Sequence, residues 1–166
     1  MATVRRALGI ALIVLLALAL FAGGWLAGRL GIGAVVDPAS LTDAERQFAE
    51  RMRGVTLVGF FTTDGHENRV PAPDRYEIVS VEKVGDDLWR FNSKCCGVDS
   101  AVPFVVPMRF NGDTPVIMMT ETSLPGMGTF TARVFFYGDR YAGTWQHGKV
   151  GGHMWGRIKK TAVPAG

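Results

Sequence analysis

Hydrophobic and polar positions follow three successive patterns along the chain. The first is an apolar run over residues 7–28, which contains 22 residues and no charge. At about 1.5 Å per helical residue it is about 33 Å long, enough to cross a hydrocarbon core of about 30 Å. The run therefore predicts a transmembrane helix that tethers the rest of the chain to the lipid bilayer.

This first segment has two interpretations, an uncleaved signal anchor and a cleaved signal peptide. A small-residue motif, Ala17-Leu18-Ala19, is of the type that signal peptidases cut. However, it lies inside the apolar run, whereas a processed signal normally ends its apolar region before the cut. The anchor is therefore favoured. Arg5 and Arg6 precede the span, which predicts a cytoplasmic N-terminus and an extracytoplasmic, periplasmic C-terminal domain.

The second pattern predicts a short amphipathic helix over residues 43–53. Thr42 is a candidate N-cap, and Glu45 lies three residues later, which is the spacing of a capping box. Gly54 is suited to end the helix in a left-handed conformation. The apolar positions are four residues apart and share one helical face: Ala44, Phe48 and Met52.

The third pattern is the alternation of β-strands, and it fills the rest of the chain. Each segment presents one apolar face, and most are joined by tight turns such as Asn111-Gly112. The fold class is therefore mainly β, with eight antiparallel strands forming an up-and-down barrel or a curled sheet. The predicted strands are 55–63, 76–84, 88–96, 102–110, 115–123, 129–137, 140–147 and 153–160.

Two features predict how these strands pair. A three-residue loop after residue 84 would pair Lys83 with Trp89, Val81 with Phe91 and Val79 with Ser93, which puts both valines on the buried face. Pro103 and Pro107 are four residues apart, so both lack their N–H toward the same neighbouring strand. We expect a slit in the barrel, or a junction of two sheets, between the third and fourth strands, where this strand loses two hydrogen bonds.

Length and charge are consistent with one tethered domain. The chain has 166 residues and a net charge of +3, and the three arginines among residues 1–33 supply that charge. The remaining domain is neutral and lacks a basic run, which argues against binding of nucleic acid. The predicted division is a signal anchor over 1–30, a stalk over 31–40, a barrel-like domain over 41–160 and a tail over 161–166.

The order of elements resembles the lipocalin-like (calycin-like) barrels. The resemblance rests on a helix, a first strand containing glycine, Leu57-Val-Gly-Phe-Phe-Thr62, and a meander of strands. Where that group has Gly-x-Trp, this chain has Gly59-Phe60-Phe61. The ending from Arg140 to Ile158 is also similar to uncharacterised single-pass bacterial membrane proteins, a likeness that implies no activity.

The inward faces favour a non-enzymatic domain that binds an apolar small molecule, with no cofactor. An alternative is a structural or assembly subunit of a cell-envelope complex, which would contact an envelope protein through the helix at 43–53 or an exposed strand edge. Another is that the side chains simply fill the barrel. The candidate ligand-binding residues are the large apolar side chains of the inward faces: Phe104, Met108, Met119, Phe130, Phe136 and Trp145.

Histidine and cysteine provide weaker candidates. His147 and His153 would be cross-strand partners if the last hairpin were centred on Val150, which would bring two imidazoles near one metal ion. No third ligand lies nearby, so we predict no metal site. Cys95 and Cys96 are adjacent in a strand and face opposite ways, which predicts one inward and one outward thiol. An intermolecular disulfide through Cys96 is the alternative.

For catalysis the chain offers little. No histidine lies beside an obvious nucleophile, and there is no Gly-x-Ser-x-Gly elbow. A hydrolase with a pair of carboxylates is the remaining alternative, because such a pair needs no sequence signature. The acids that such a pair could use have the pattern of turn or strand-surface residues: Asp74, Glu77, Glu82, Asp86, Asp87 and Glu121.

Overall fold

The fold is known from a computed structural model, which describes residues 2–29, 35–66, 68–94, 100–124 and 126–161, with the side chains of residues 11–28 in the first helix. The chain forms two compact units, Met1–Ala34 and Val35–Gly166. The elements are α1 Ala2–Arg29, a 3-10 helix Pro38–Ser40, α2 Asp43–Arg51, β1 Val55–Phe61, β2 Ala72–Lys83, β3 Leu88–Lys94, β4 Val102–Asn111, β5 Thr114–Leu124, β6 Gly128–Tyr137, β7 Arg140–His147 and β8 Val150–Lys160.

The first unit contains the long apolar helix α1. Its segment Ala11–Gly28 has a mean hydropathy of 2.3, and no part of that segment is buried. The helix is therefore long and apolar enough to span a membrane.

The second unit is a closed barrel in which each strand pairs with its sequence neighbours and β8 pairs with β1. All pairs are antiparallel, as the alternating pattern and short turns predict. The predicted stalk is partly attached to this unit, since the Val36 N–H donates to the Lys83 carbonyl oxygen at 3.0 Å.

Helix α2 closes one end of the barrel, which we call the plugged end. Thr42 caps the helix and Glu45 completes the predicted capping box. Phe48 and Met52 are 2% and 0% exposed, so the apolar stripe of α2 is buried and is not a free docking surface. The ring of Phe48 contacts four aromatic rings inside the barrel, with centroid distances from 5.4 to 6.5 Å: Trp89, Phe91, Phe110 and Phe136.

One predicted pair between β2 and β3 is wrong. Lys83 pairs with Trp89 and Val81 with Phe91, but Ser93 pairs with Ile78 rather than Val79. Val79 is an extra residue in a β-bulge and is 45% exposed. A bulge changes the phase of the alternation. After the bulge, the inward-facing residue of β2 is the odd-numbered Val81. Before the bulge, the inward-facing residues are even-numbered, such as Ile78.

The predicted slit between the third and fourth strands is also wrong, because β3 and β4 pair continuously along residues 102–107 of β4. The Met108 N–H donates to the Asp87 carbonyl oxygen at 2.7 Å, next to β3. Since N–H groups alternate between the two neighbours of a strand, the prolines at 103 and 107 face β5 instead. Accordingly, β4 pairs with β5 only over residues 108–111.

Cys95 and Cys96 lie outside the described residues, as do residues 162–166 of the predicted tail.

Candidate functional site

The barrel contains a cavity of about 380 Å³. It lies between the plugged end and the opposite end, where β1 finishes at Phe61 and Leu124 and Met127 contribute to the wall. This volume falls within the range of about 300–1,000 Å³ that is usual for small-molecule sites. The barrel is therefore not completely filled by its own side chains.

The walls are built from the inward positions of the strands, and most of them are apolar. Strand alternation brings one residue in two to this surface, and the rest face outward. Four buried residues, each at most 7% exposed, line the cavity: Leu57, Ile78, Val106 and Val134. The described lining residues include no lysine, arginine or histidine.

Five of the six candidate ligand-binding residues line this cavity, and the sixth does not. Met108 is 1% exposed and packs in the core near the plugged end instead. Ligand binding by the other five remains a prediction. They are Phe104, Met119, Phe130, Phe136 and Trp145.

A row of four residues crosses four strands on one side of the cavity. Asp74 of β2 pairs with Gly59 of β1, Gly59 pairs with Gly156 of β8, and Gly156 pairs with Tyr141 of β7. A Cβ on Gly156 would lie 2.7 Å from Cε1 of Tyr141, and a Cβ on Gly59 would lie 2.6 Å from its hydroxyl oxygen. The two glycines thus leave the space over which the Tyr141 side chain extends toward the strand that carries Asp74.

Polar atoms without a partner are concentrated in the same cavity. Among the described residues, five buried side-chain atoms lack a hydrogen-bond partner, and four of the five belong to lining residues. Native proteins leave few such atoms unsatisfied, because each costs about 1–3 kcal/mol. These four atoms are therefore candidates for contact with a molecule held in the cavity. They are Asp74 Oδ2, Ser93 Oγ, the Tyr141 hydroxyl and Trp145 Nε1.

Burial shifts the ionisation of two of these groups. Burial raises the pKa of Asp74, and hydrogen bonds from the Tyr76 hydroxyl and the Arg75 backbone only partly oppose it. Burial also raises the pKa of Tyr141 to about 12, and the nearby charge of Asp74 adds to this shift. An apolar cavity that contains titratable groups with shifted pKa values is a reasonable candidate for a functional site.

The predicted pairing of the two histidines is wrong. His147 pairs with Val150, and His153 pairs with Thr144, so the last hairpin is centred between Gly148 and Lys149 and not on Val150. The two side chains therefore lie on opposite faces of the sheet. His147 stacks on Phe130 with a centroid distance of 4.4 Å. In the described part of the chain, no three His, Cys, Asp or Glu residues are grouped to hold a metal ion.

A pair of carboxylates does not form in the cavity, since Asp74 is the single acid among its described lining residues. Three of the other candidate acids instead form ion pairs with arginines. Glu77 pairs with Arg75 at 3.0 Å, Asp87 pairs with Arg109 at 2.8 Å, and Glu82 pairs with Arg90.

The sequence pattern does not predict Tyr76 or Ser93 as site residues, and it offers Asp74 only as a candidate acid of a carboxylate pair. The predicted second strand starts at residue 76 and leaves Asp74 outside it, whereas β2 begins at Ala72. Their spacing could have revealed Asp74 and Tyr76 as inward residues. Asp74, Tyr76 and Ile78 are two residues apart, so they share one face if the predicted strand starts before residue 76. The bulge at Val79 hides this signal, because continuing the alternation from Val81 puts these three residues outside.

Comparison with protein-family models, with curated proteins and with solved structures found no match. The structure shows an eight-stranded antiparallel barrel preceded by a short helix, and none of these comparisons supports the resemblance to lipocalin-like barrels.

Proposed function

We propose that this protein is a membrane-tethered, non-enzymatic binding protein whose extracytoplasmic barrel holds an apolar small molecule. The main support for this proposal is the cavity of about 380 Å³, which has mainly apolar walls and lies inside a closed barrel. Apolar surface that a ligand covers contributes about 25 cal/mol per Å², so a filled cavity of this size supports useful affinity. Helix α1 acts as the tether, and Arg5 and Arg6 favour export of the barrel.

The test compares small molecules extracted from purified full-length protein with those from two matched variants. Ala132 lines the cavity, whereas Ala142 lies on the outer face of the adjacent strand and pairs with Trp155. Ala132→Leu should reduce the co-purified molecule, and Ala142→Leu should retain it, as mass spectrometry of organic extracts would measure. Lipids bound to α1 would be equal in all three. The proposal would be contradicted if all three proteins gave identical extracts, or if no extract contained a small molecule other than the lipids bound to α1.

Export is tested separately with a reporter fused after Gly166. The reporter should be active outside the cytoplasm, and protease added to spheroplasts should remove the barrel. Protection of the barrel under conditions that expose a known periplasmic protein would place it on the cytoplasmic side.

A second candidate function, as an assembly subunit of an envelope complex, is supported by an apolar row on the outside of the barrel. Phe60 pairs with Trp155, Trp155 pairs with Ala142, and Ala142 pairs with Phe135. Phe60, Trp155 and Phe135 are 48%, 39% and 44% exposed. If this row contacts a partner, cross-linking in cells should yield a defined adduct that Trp155→Ser removes and Ala132→Leu retains. Recovery of the protein alone in every sample would reject this candidate.

A further inference from the structure

The cavity has a polar end, formed by Asp74, Tyr76 and the Tyr141 hydroxyl, which contains a half-buried carboxylate with no positive partner among the described residues. The Tyr76 hydroxyl and the Arg75 backbone N–H both donate to the Asp74 carboxylate. Its Oδ2 atom is enclosed and accepts no hydrogen bond. No ion pair of the described residues includes Asp74, and the described residues that line the cavity include no lysine, arginine or histidine. Burying a carboxylate without a counter-charge is costly, so this site favours a cation beside Oδ2.

Aromatic groups in the same cavity suit a cation as well. Tyr76 donates to Asp74, and the hydroxyl of Tyr141 lies over Gly59, which is the cross-strand partner of Asp74. Phe61 is two residues after Gly59 on the same inward face, and its ring lies 5.9 Å from that of Trp145. Aromatic faces attract cations within about 6 Å, most strongly where water is excluded. The Tyr141 oxygen, which has no partner, is also available to accept a hydrogen bond from an ammonium group.

Resting on the proposed function, we propose that the ligand is a lipophilic amine, an apolar molecule with one protonated amino group. The ammonium donates to Asp74 Oδ2 and to the Tyr141 hydroxyl oxygen, and the hydrocarbon part fills the apolar remainder of the cavity. A carboxylic acid ligand would bring a second negative charge beside Asp74, and like charges repel strongly in a low-dielectric site. A neutral alcohol would satisfy hydrogen bonds and leave the charge of Asp74 uncompensated.

The test uses three ligands that differ only in the polar end: 4-phenylbutylamine, 4-phenylbutanol and 4-phenylbutanoate. Each is titrated calorimetrically into full-length protein in nanodiscs, with empty nanodiscs to subtract partition into lipid. The wild type should bind the amine at least tenfold more tightly than the alcohol, and the acid should not bind measurably. Asp74→Asn should weaken amine binding at least tenfold and leave alcohol binding within a factor of about three. Asp113→Asn, on the turn between β4 and β5, is the matched control and should behave like wild type.

The outcomes separate this inference from the proposed function. If the alcohol or the acid binds as tightly as the amine, or Asp74→Asn does not change the preference, the amine inference is overturned and a binding cavity remains. If none of the three ligands binds to the wild type, both the inference and the binding function lose their support. A thermal melt of each variant shows whether the barrel is folded, and Asp74→Asn removes only a charge and keeps the size of the side chain.

Discussion

The hydroxyl oxygen of Tyr141 lies over Gly59, so close that a Cβ on that glycine would be 2.6 Å away. This contact depends on two strands between β7 and β2 that carry glycine at matching positions, Gly156 and Gly59. A larger side chain at either position would displace the phenol ring from the cavity. The polar end of the site is therefore a product of small residues as much as of polar ones.

The first prediction concerns the hydroxyl of Tyr141, which is buried and lacks a partner. Tyr141→Phe removes a polar atom that the fold does not satisfy, so we expect unfolding free energy to rise by about 1 kcal/mol. Tyr141→Ala also removes a ring that is 1% exposed, and should cost about 3–5 kcal/mol. Denaturant titration of both variants measures the difference. A Tyr141→Phe protein less stable than wild type would mean that the hydroxyl has a partner within the fold.

The second prediction concerns pH. Burial raises the pKa of Asp74 despite the opposing hydrogen bonds from Tyr76 and the Arg75 backbone. A carboxyl group with a raised folded-state pKa destabilises the fold once it ionises, because the folded state holds the proton more tightly than the unfolded chain. Asp74→Asn should therefore be more stable than wild type at pH 7, by about 0.5–2 kcal/mol.

This stability difference should shrink as the pH falls below the raised pKa of Asp74 and then below the unfolded value, since the carboxyl is then neutral in both states. Denaturant titrations of ligand-free full-length protein from pH 7 to mildly acidic conditions provide the measurement. Asp113→Asn is the control on an exposed turn. Destabilisation by Asp74→Asn at pH 7 would contradict the prediction.

The third prediction concerns the plug. Phe48 is 2% exposed and contacts four aromatic rings of the barrel. Phe48→Ala should reduce unfolding free energy by about 3–5 kcal/mol, through lost burial and the cavity left behind. Gln47→Ala, on the exposed face of the same helix, should change it by less than about 0.5 kcal/mol. Equal effects of the two substitutions would indicate that α2 does not pack into the barrel in solution.

The fourth prediction concerns the ion pair between α2 and β2. Lys83 Nζ lies 2.5 Å from Glu45 Oε1, while Oε2 accepts from the Thr42 N–H at 2.9 Å. Burial tends to raise the pKa of Glu45, but the hydrogen bonds from Lys83 and Thr42 outweigh it and lower the pKa overall. This stabilisation is complete above the unfolded-state pKa and is lost as the pH falls through the lowered folded-state value.

Glu45→Gln should therefore cost about 1–2 kcal/mol at pH 7 and progressively less under acidic conditions. Unfolding free energies of wild type and variant at several pH values measure this. A cost that does not change with pH would show that the charge of Glu45 is not what stabilises the pair.

The fifth prediction distinguishes the two tryptophans of the last hairpin. Trp145 pairs with Gly152 and lines the cavity, whereas Trp155 faces outward opposite Phe60, with ring centroids 6.5 Å apart. Trp145→Ala should cost about 3 kcal/mol and Trp155→Ala about 1 kcal/mol or less. Their effects should add, while Phe60→Ala and Trp155→Ala should be coupled. Strong coupling between Trp145 and Trp155 in a double-mutant cycle would reject this register.

The sequence by itself determined the features that depend on local periodicity and turn chemistry. The apolar run predicted α1, and the capping residues Thr42 and Glu45 predicted the start of α2. The eight alternating segments predicted the antiparallel meander. These predictions succeed because each depends on residues only a few positions apart, where period, caps and turns directly reflect backbone geometry.

Only the tertiary structure decided the register and the polar end of the cavity. The bulge at Val79 reverses the faces of β2 and brings Asp74 and Tyr76 inside, and no local pattern marks it. Likewise, the sequence correctly predicts that Pro103 and Pro107 face the same neighbouring strand. The hydrogen bond from the Met108 N–H to the Asp87 carbonyl oxygen shows that this strand is β5 and not β3. The barrel closes through β1 and β8, whose residues are about a hundred positions apart in the sequence. Asp74 and Tyr141 meet in one cavity because of that closure and the two glycines between them, and sequence spacing does not reveal such a long-range contact.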